Sequence, residues 1–175
     1  MKKIFFLVLA FTFACTTLFA QTTKEQAVAE WTRAKAYTKA YLDAMPADGY
    51  EFKATPDVRT FAGQMLHLAD ANYYFISVAS GKESPLGREV SVEKTVAQTK
   101  EATTKAVLDS YDFAINAIKG MTDAQMQEQA AFGKDMKVAR GLIIAKGFEH
   151  QTHHRGQTTI YIRLKGAKPP QEMLF

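Results

Sequence analysis

Apolar side chains recur at helical spacing along most of the chain. Positions three or four residues apart lie on one face of an α-helix, so this spacing predicts amphipathic helices. The four predicted helices cover residues 22–45, 58–79, 92–119 and 136–165. Four long amphipathic segments with short joins predict an all-α fold, a four-helix bundle with up-and-down or crossover connections.

The ends of the first and third predicted helices carry recognisable signals. Thr22 and Glu25 have the spacing of a capping box, and Pro46 prevents continuation of the first helix. Ser91 is a suitable N-cap for the third helix, and Gly120 follows its last residue. These signals predict one unbroken third helix of about 28 residues over 92–119.

The joins are less regular than the helices. After the first helix, the alternation of Tyr50 and Phe52 predicts a short extended piece that packs back on the bundle. In residues 121–135, Thr122 and Asp123 could start a turn of helix. The remainder of that segment is expected to be extended or to form a loop over one end of the bundle.

The first twenty residues have the composition of a secretory signal peptide. Lys2 and Lys3 give a basic start, an apolar run over 4–15 follows, and the small residue Ala20 precedes Gln21. The apolar run is too short for a typical membrane span. We therefore expect cleavage near Gln21 and a periplasmic or secreted protein, with no membrane span once the signal is removed.

The expected mature domain, residues 21–175, is long enough to enclose a hydrophobic core. The only cysteine, Cys15, would leave with the signal, which excludes a disulfide, a thiolate metal site and a cysteine nucleophile. As an alternative, Cys15 could anchor a lipid, although Thr12 rather than leucine lies three residues before it. The net charge is +4 and the lysines are scattered, so nothing predicts a nucleic-acid partner.

Three of the four histidines lie in the fourth predicted helix. His150 and His154 are four residues apart, which places both imidazoles on one helix face. Two neutral imidazoles at this spacing can hold one zinc, nickel or iron(II) ion. His153, three residues after His150, could also chelate with it. The motif is not the H-E-x-x-H of metalloproteases, because Gln151 occupies the glutamate position.

The remaining histidine, His67, lies in the mostly apolar second helix, where Gly63 and Ala71 leave room one turn to either side. Taken alone, it could be a core histidine bonded to a backbone carbonyl. Ile143 and Tyr161 share the face of His150 and His154, which predicts that this face looks inward. Each inward ring nitrogen needs a partner, and a shared cation satisfies three histidines most simply.

Two stretches resemble the DinB family, also called the DinB/YfiT-like metalloenzymes. They are HLADANYYFISVASGK, residues 67–82, and EHQTHHRGQTTIYIRLKG, residues 149–166. The segment MPADGYEFKATPDVRTFAGQML is similar to that family's joint between helices one and two. The resemblance implies a four-helix bundle, usually a homodimer, with a divalent metal ion on three histidines. Carried onto this sequence, the ligands are His67, His150 and His154, so the family pattern favours His154 over His153.

Several neighbouring residues could support such a site. Asp70 could fix the tautomer of His67, or it could be a solvated surface charge. Gln157 could orient a metal-bound water, or it could make an ordinary interhelical hydrogen bond. Tyr161 lies on the same helix face as the two ligands. Arg155 could pair with a carboxylate on a neighbouring helix or subunit.

The resemblance also implies a range of activities. Three protein ligands leave coordination positions open, as in catalytic zinc sites. Some members of the wider superfamily are transferases or isomerases that use a small-molecule thiol as cofactor, which suggests a metal-dependent thiol transferase with an unknown small-molecule substrate. The predicted export argues against this, since such thiols are kept mainly in the cytosol. The alternatives are a metal-dependent hydrolase and a non-catalytic metal-binding stress protein.

Overall fold

The computed structural model of the protein describes residues 22–87 and 90–175. The predicted signal peptide, 1–20, and the lipid-anchor alternative at Cys15 lie outside these ranges. The described elements, in chain order, are α1 (Lys24–Ala44), a 3-10 turn (Ala47–Gly49), α2 (Phe61–Ser80), α3 (Val92–Thr95), α4 (Lys100–Lys119), α5 (Asp123–Gln127), β1 (Gln129–Phe132), β2 (Met136–Ala139) and α6 (Arg140–Leu164). The mostly helical fold is confirmed, and the small sheet is an addition to the all-α prediction.

The four long helices enclose one core. α1 packs against α4 and α6, and α2 packs against the same two helices. Fully buried apolar side chains from all four fill the space between them; they include Trp31, Leu42, Met65, Ile76, Tyr111, Ile118 and Ile143. None of the helices within the described ranges combines the length and apolar composition that crossing a membrane requires.

The N-cap of the first helix lies one residue later than predicted, and the helix itself begins at Lys24. Thr23, not Thr22, is its N-cap, and it forms the capping box with Gln26 instead of Glu25. Thr22 with Glu25 and Thr23 with Gln26 both have the spacing and residue types of a capping box. The backbone N–H of Lys24 donates to Asp123 Oδ1 over 2.9 Å, a contact with α5 that the local sequence cannot reveal.

The join between α1 and α2 is compact rather than extended. The chain makes a 3-10 turn after α1, and no described residue of this join belongs to a strand. Tyr50 is buried and donates its hydroxyl hydrogen to Leu42 O over 2.8 Å. Phe52 packs partly buried against the core, so these side chains fold back as predicted without the predicted strand. Helix α2 then starts at Phe61, capped by Thr60.

The predicted third helix is broken into α3 and α4. The backbone of Val96 is extended, and Thr99 caps a new helix by accepting from Ala102 N–H over 3.2 Å. The predicted cap, Ser91, makes no side-chain capping bond of its own. Asp70 of α2 takes that role, because its carboxylate accepts from the backbone N–H groups of Val92 and Glu93, and so it holds α3 against α2.

The predicted fourth helix is also shorter at its start. β1 and β2 form an antiparallel hairpin in which Gln129 pairs with Ala139 and Phe132 pairs with Met136, so helix α6 begins at Arg140 instead of Met136. Gly133, with φ +67°, lies in the turn. The short helix predicted at Thr122 and Asp123 is present as α5.

Candidate metal centre

The α2–α6 seam brings together three histidines from distant parts of the sequence. The two helices run in opposite directions, since Gln64 contacts His154 and Phe75 contacts Gly147. His67 comes from α2, and His150 and His154 come from α6. One ring nitrogen from each of the three lies within 4.8 Å of the others, an arrangement that could hold a metal ion. Ring centroids are 4.5 Å apart for His150 and His154, and 4.6 Å for His67 and His154.

Close approach of the helices at one end of the seam depends on Gly147. A Cβ atom there would lie 2.9 Å from Phe75 Cβ, closer than packed carbon atoms tolerate. The absence of a side chain at Gly147 therefore allows α2 and α6 to pack closely. The packing fixes the distance between α2 and α6 one turn from His150.

Burial keeps two of the three histidines uncharged, His150 and His154. His154 is buried, while His67 and His150 are half-buried. Burial, followed by the neighbouring His150 and His67, lowers the pKa of His154 to about 3. Burial, followed by His67, also lowers the pKa of His150. Both imidazoles are therefore neutral near pH 7, which is the form that coordinates a metal ion.

His67 is oriented by a carboxylate. Its Nδ1 lies 3.0 Å from Glu93 Oε2. An ionised carboxylate only accepts hydrogen bonds, so Nδ1 carries a hydrogen and Nε2 is the nitrogen left for a metal ion. Arg59 Nε donates to Glu93 Oε1 over 2.7 Å and holds the carboxylate in place. Arg59 Nη2 lies 3.4 Å from the same Nδ1, but both are then donors, so Glu93 is the hydrogen-bond partner.

His154 is oriented by an amide. Its Nδ1 lies 2.8 Å from Oε1 of Gln64, which is itself buried. This bond places the hydrogen on Nδ1 and leaves Nε2 as the available lone pair. His67 and His154 thus follow the usual pattern of metal-ligating histidines, in which one ring nitrogen bonds to the protein and the other faces the ion.

His150 has a buried ring nitrogen without a hydrogen-bond partner among the described residues. Its Nδ1 is buried and finds no hydrogen-bond partner among residues 22–87 and 90–175. Buried polar atoms without partners are uncommon in folded proteins. An all-imidazole set of donors with one orphaned nitrogen fits a borderline divalent ion such as zinc, nickel or iron(II).

The predicted supporting residues lie elsewhere. Asp70 does not contact His67; it caps α3, and Ser91 Oγ also donates to it over 2.6 Å. Gln157 is exposed, and its Nε2 lies 2.9 Å from His153 Nε2 on the same helix, so this contact is not the predicted interhelical hydrogen bond. Tyr161 is buried and donates to Arg59 O over 2.9 Å, and so it contacts the residue that holds Glu93 instead of a histidine.

Arg155 belongs to a second buried polar cluster. It is 5% exposed, and its guanidinium lies over the ring of Tyr37 at 4.4 Å from the centroid. Arg155 Nη1 donates to Gln151 Oε1 over 2.8 Å, and the hydroxyl of Tyr111 donates to the same oxygen over 2.7 Å. The predicted carboxylate partner is absent from the described contacts of Arg155. Burial lowers the pKa of this guanidinium, against the influence of Tyr111 and Tyr37.

Sequence reasoning missed Gln64 and Glu93. Gln64 had a usable signal, because it is a polar residue three positions before His67 on a mostly apolar helix. Glu93 had none, because it was assigned to the first turn of one long helix that showed no catalytic or ligand signal. Its position depends on the break after α3 and on the cap that Asp70 provides from α2.

These features define a class of mostly helical proteins in which two antiparallel helices present a three-histidine cluster. The sequence model of the DinB family matches residues 18–173, and the chain belongs to that family. Two similar solved structures have the same fold. A DinB-like protein from Bacillus cereus is 19% identical, with a TM-score of 0.73 over 87% of this chain and 99% of the other. A DinB-like protein from Bacillus subtilis is 18% identical, with a TM-score of 0.68 over 86% and 96%. Among curated proteins, no sequence matches the chain.

Proposed function

We propose that His67, His150 and His154 bind one divalent metal ion, with zinc, nickel and iron(II) as the candidates. The observation that carries the proposal is the convergence of three ring nitrogens within 4.8 Å. Two of the rings are also held by protein acceptors, Gln64 and Glu93, so that their other nitrogens are available. Without an ion, three imidazoles gather with few protein partners among the described residues for the ring nitrogens that converge.

The proposal extends to the whole domain. We infer that residues 21–175 form a four-helix bundle of the DinB/YfiT-like type, exported after removal of residues 1–20 and assembled as a homodimer. The closed packing of the four long helices supports the bundle. Mass spectrometry of the N-terminus in the native host should find it at or near Gln21, and an intact Met1 would contradict export. A light-scattering mass near that of one mature chain at micromolar concentration would contradict the dimer.

The chemistry proposed for the site is that of a metal-dependent thiol transferase. An ion on three histidines would act as a Lewis acid toward a small-molecule thiol or a water molecule. Gln64 and Glu93 hold two ligand rings in place. The oxygens of Glu93 are engaged by Arg59 and His67, so this carboxylate orients a ligand and is poorly suited to take a proton. That arrangement favours a thiol, which ionises readily at a metal ion, over hydrolysis that needs a general base.

A metal-dependent hydrolase and a metal-binding stress protein without turnover remain the alternatives. The experiment starts with the metal content of protein purified from the compartment in which the native host keeps it. About one equivalent of a divalent ion is expected, and its loss in the His154→Ala variant would assign it to the cluster. The metal-loaded protein is then tested for conjugation of thiols to electrophiles and for ester hydrolysis. Stoichiometric metal that persists in all three histidine variants would contradict the site.

A further inference from the structure

Three aromatic rings form a ledge beside the histidine cluster. The aromatic ledge consists of Tyr74 and Phe75 of α2 and Phe132 of β1. Phe75 and Phe132 are stacked with centroids 5.5 Å apart, and Tyr74 lies 5.8 Å from Phe132. Tyr74 is 50% exposed, and the other two rings are half-buried. A cluster of large aromatic side chains that reaches solvent next to a polar site indicates a surface for apolar ligand groups.

The ledge is continuous with the histidines. The ring of Phe75 lies 5.8 Å from the ring of His150. On α2, Ala71 is one turn from His67 and one turn from Phe75, and it is partly exposed. Its methyl group fills little of the surface between these two larger side chains. A ligand group attached to an atom at the histidine cluster can therefore extend over Ala71 toward the ledge.

The other end of the cluster is charged. Arg59 and Glu93 form an ion pair there, beside His67. The three histidines thus separate a charged side from an aromatic side along the same seam. Such polarity gives a ligand a defined orientation, because only the aromatic side gains from removing apolar surface from water.

We propose that the site takes ligands whose metal-binding atom carries an aromatic or other bulky apolar substituent, seated on Tyr74, Phe75 and Phe132. The proposal rests on the metal site proposed above and names the class of small molecule that it accepts. The hairpin β1–β2 would then serve as a specificity element. It contributes Phe132 to the ledge and supplies none of the three histidines.

Cobalt(II)-loaded protein provides the test, because its visible spectrum reports ligands at open coordination positions. Imidazole and 4-phenylimidazole are titrated separately, and the ratio of their dissociation constants is compared between variants. The ratio cancels effects common to both probes. Relative to wild type, we expect Phe132→Ala to reduce the preference for 4-phenylimidazole by about tenfold, the size expected when roughly half of a phenyl ring leaves water. Tyr74→Ala should reduce it by about threefold, since this ring is half exposed.

Leu142→Ala is the matched control, because Leu142 is also 50% exposed but belongs to α6 and is not one of the three ledge residues. Its ratio should equal that of wild type. Tyr74→Ala alters an exposed side chain and keeps the test decisive if Phe132→Ala fails to fold. Cobalt binding with an unchanged ratio in Tyr74→Ala and in any folded Phe132→Ala protein would overturn the ledge alone. Failure of wild type to bind cobalt, or binding that survives His154→Ala, would overturn the proposed metal site and the ledge with it.

Discussion

Two buried polar clusters share helix α6, and two adjacent residues, His154 and Arg155, belong to different clusters. His154 faces α2 and joins His67 and His150, whereas Arg155 faces α1 and α4 and joins Gln151 and Tyr111. In the arginine cluster, Gln151 Oε1 accepts from Arg155 on the same helix and from Tyr111 on α4, and the ring of Tyr37 covers the guanidinium. In the histidine cluster, ring nitrogens converge with no protein partner between them among the described residues.

The arginine cluster finds its hydrogen-bond partners within the protein, whereas the histidine cluster has ring nitrogens that a bound ion would satisfy. A satisfied buried network fixes how helices pack and specifies their register. Convergent imidazoles with ring nitrogens left unpaired by the described protein have the donor set of a ligand site. Burial alone does not distinguish the two, since both His154 and Arg155 are less than a tenth exposed. The accounting of hydrogen-bond partners does distinguish them.

Loss of a predicted ligand should produce the largest change. In His154→Ala, two imidazoles remain and the site opens to water, so we expect the affinity for a divalent ion to fall by about a hundredfold or more. Metal that binds only the folded protein raises the melting temperature of wild type, and chelator should abolish that rise. Calorimetric metal titration and melting curves with and without chelator measure both effects. A variant that keeps wild-type affinity would place the ion elsewhere.

Loss of the arginine should separate stability from metal binding. Arg155→Met removes the donor to Gln151 and the cover over Tyr37, and leaves a buried amide oxygen with fewer partners. We expect the free energy of unfolding to fall by about 2–3 kcal/mol, with the metal affinity of the folded protein within a few-fold of wild type. Urea unfolding and metal titration provide the two readouts. Arg163→Met, an exposed position on the same helix, is the control.

A smaller effect is expected from the residue that orients His67. Glu93→Gln keeps an oxygen for the ring N–H but loses the charge and one of the acceptors for Arg59. Changes of this kind typically weaken metal binding by about tenfold or somewhat more. The exposed substitution Glu101→Gln on α4 should leave the affinity unchanged. Equal affinities for Glu93→Gln and wild type would mean that the carboxylate does not support the ligand.

Acid should weaken the histidine cluster and spare the arginine cluster. In the metal-free protein, the pKa of His154 is lowered from 6.5 to about 3, so between these values the unfolded chain binds more protons than the folded one. Stability contributed by the neutral ring is therefore present above about pH 6.5 and is lost as the pH falls toward 3. Chelator-treated wild type and Arg155→Met should lose stability from pH 7 to pH 5 with similar slopes in urea unfolding. His154→Ala should show a shallower slope, and an equal slope would refute this assignment.

The smallest effect is expected at the neighbouring histidine. His153 is exposed and lies 2.9 Å from Gln157 instead of pointing into the cluster. His153→Ala should change the metal affinity by less than about twofold and the free energy of unfolding by less than about 0.5 kcal/mol. A loss of metal in His153→Ala, with binding retained in His154→Ala, would show that the ligand register is wrong.

Sequence periodicity was sufficient for the long helices and for the histidine pair. His150 and His154 share a helix face whatever the surrounding fold, so their proximity follows from local geometry alone. The inclusion of His67 came from the need of three inward imidazoles for partners, and the choice of His154 over His153 came from the family resemblance. The structure brings His67, His150 and His154 together and leaves His153 at the surface.

The elements that sequence analysis missed are those set by tertiary contacts. The stretch from Val92 to Lys119 has helical periodicity throughout, yet Thr99 restarts it and Asp70, from another helix, caps its first turn. Likewise, residues 136–139 were predicted to be helical but form strand β2, which pairs with β1. Local propensity is a weak guide where a distant side chain or strand supplies the deciding hydrogen bonds. Glu93 was missed for the same reason.

The antiparallel seam between α2 and α6 has a consequence for the connectivity of the chain. An ion held by His67 and His150 would link positions 83 residues apart in the sequence, from 67 to 150. The single cysteine, Cys15, cannot form an intrachain disulfide, so coordination would be the covalent-like crosslink available to this chain. A link that closes a loop of this length restricts the unfolded ensemble by on the order of 4 kcal/mol in the chain-entropy view of disulfides. Unlike a disulfide, such a crosslink would open reversibly when protons or a chelator compete for the imidazoles.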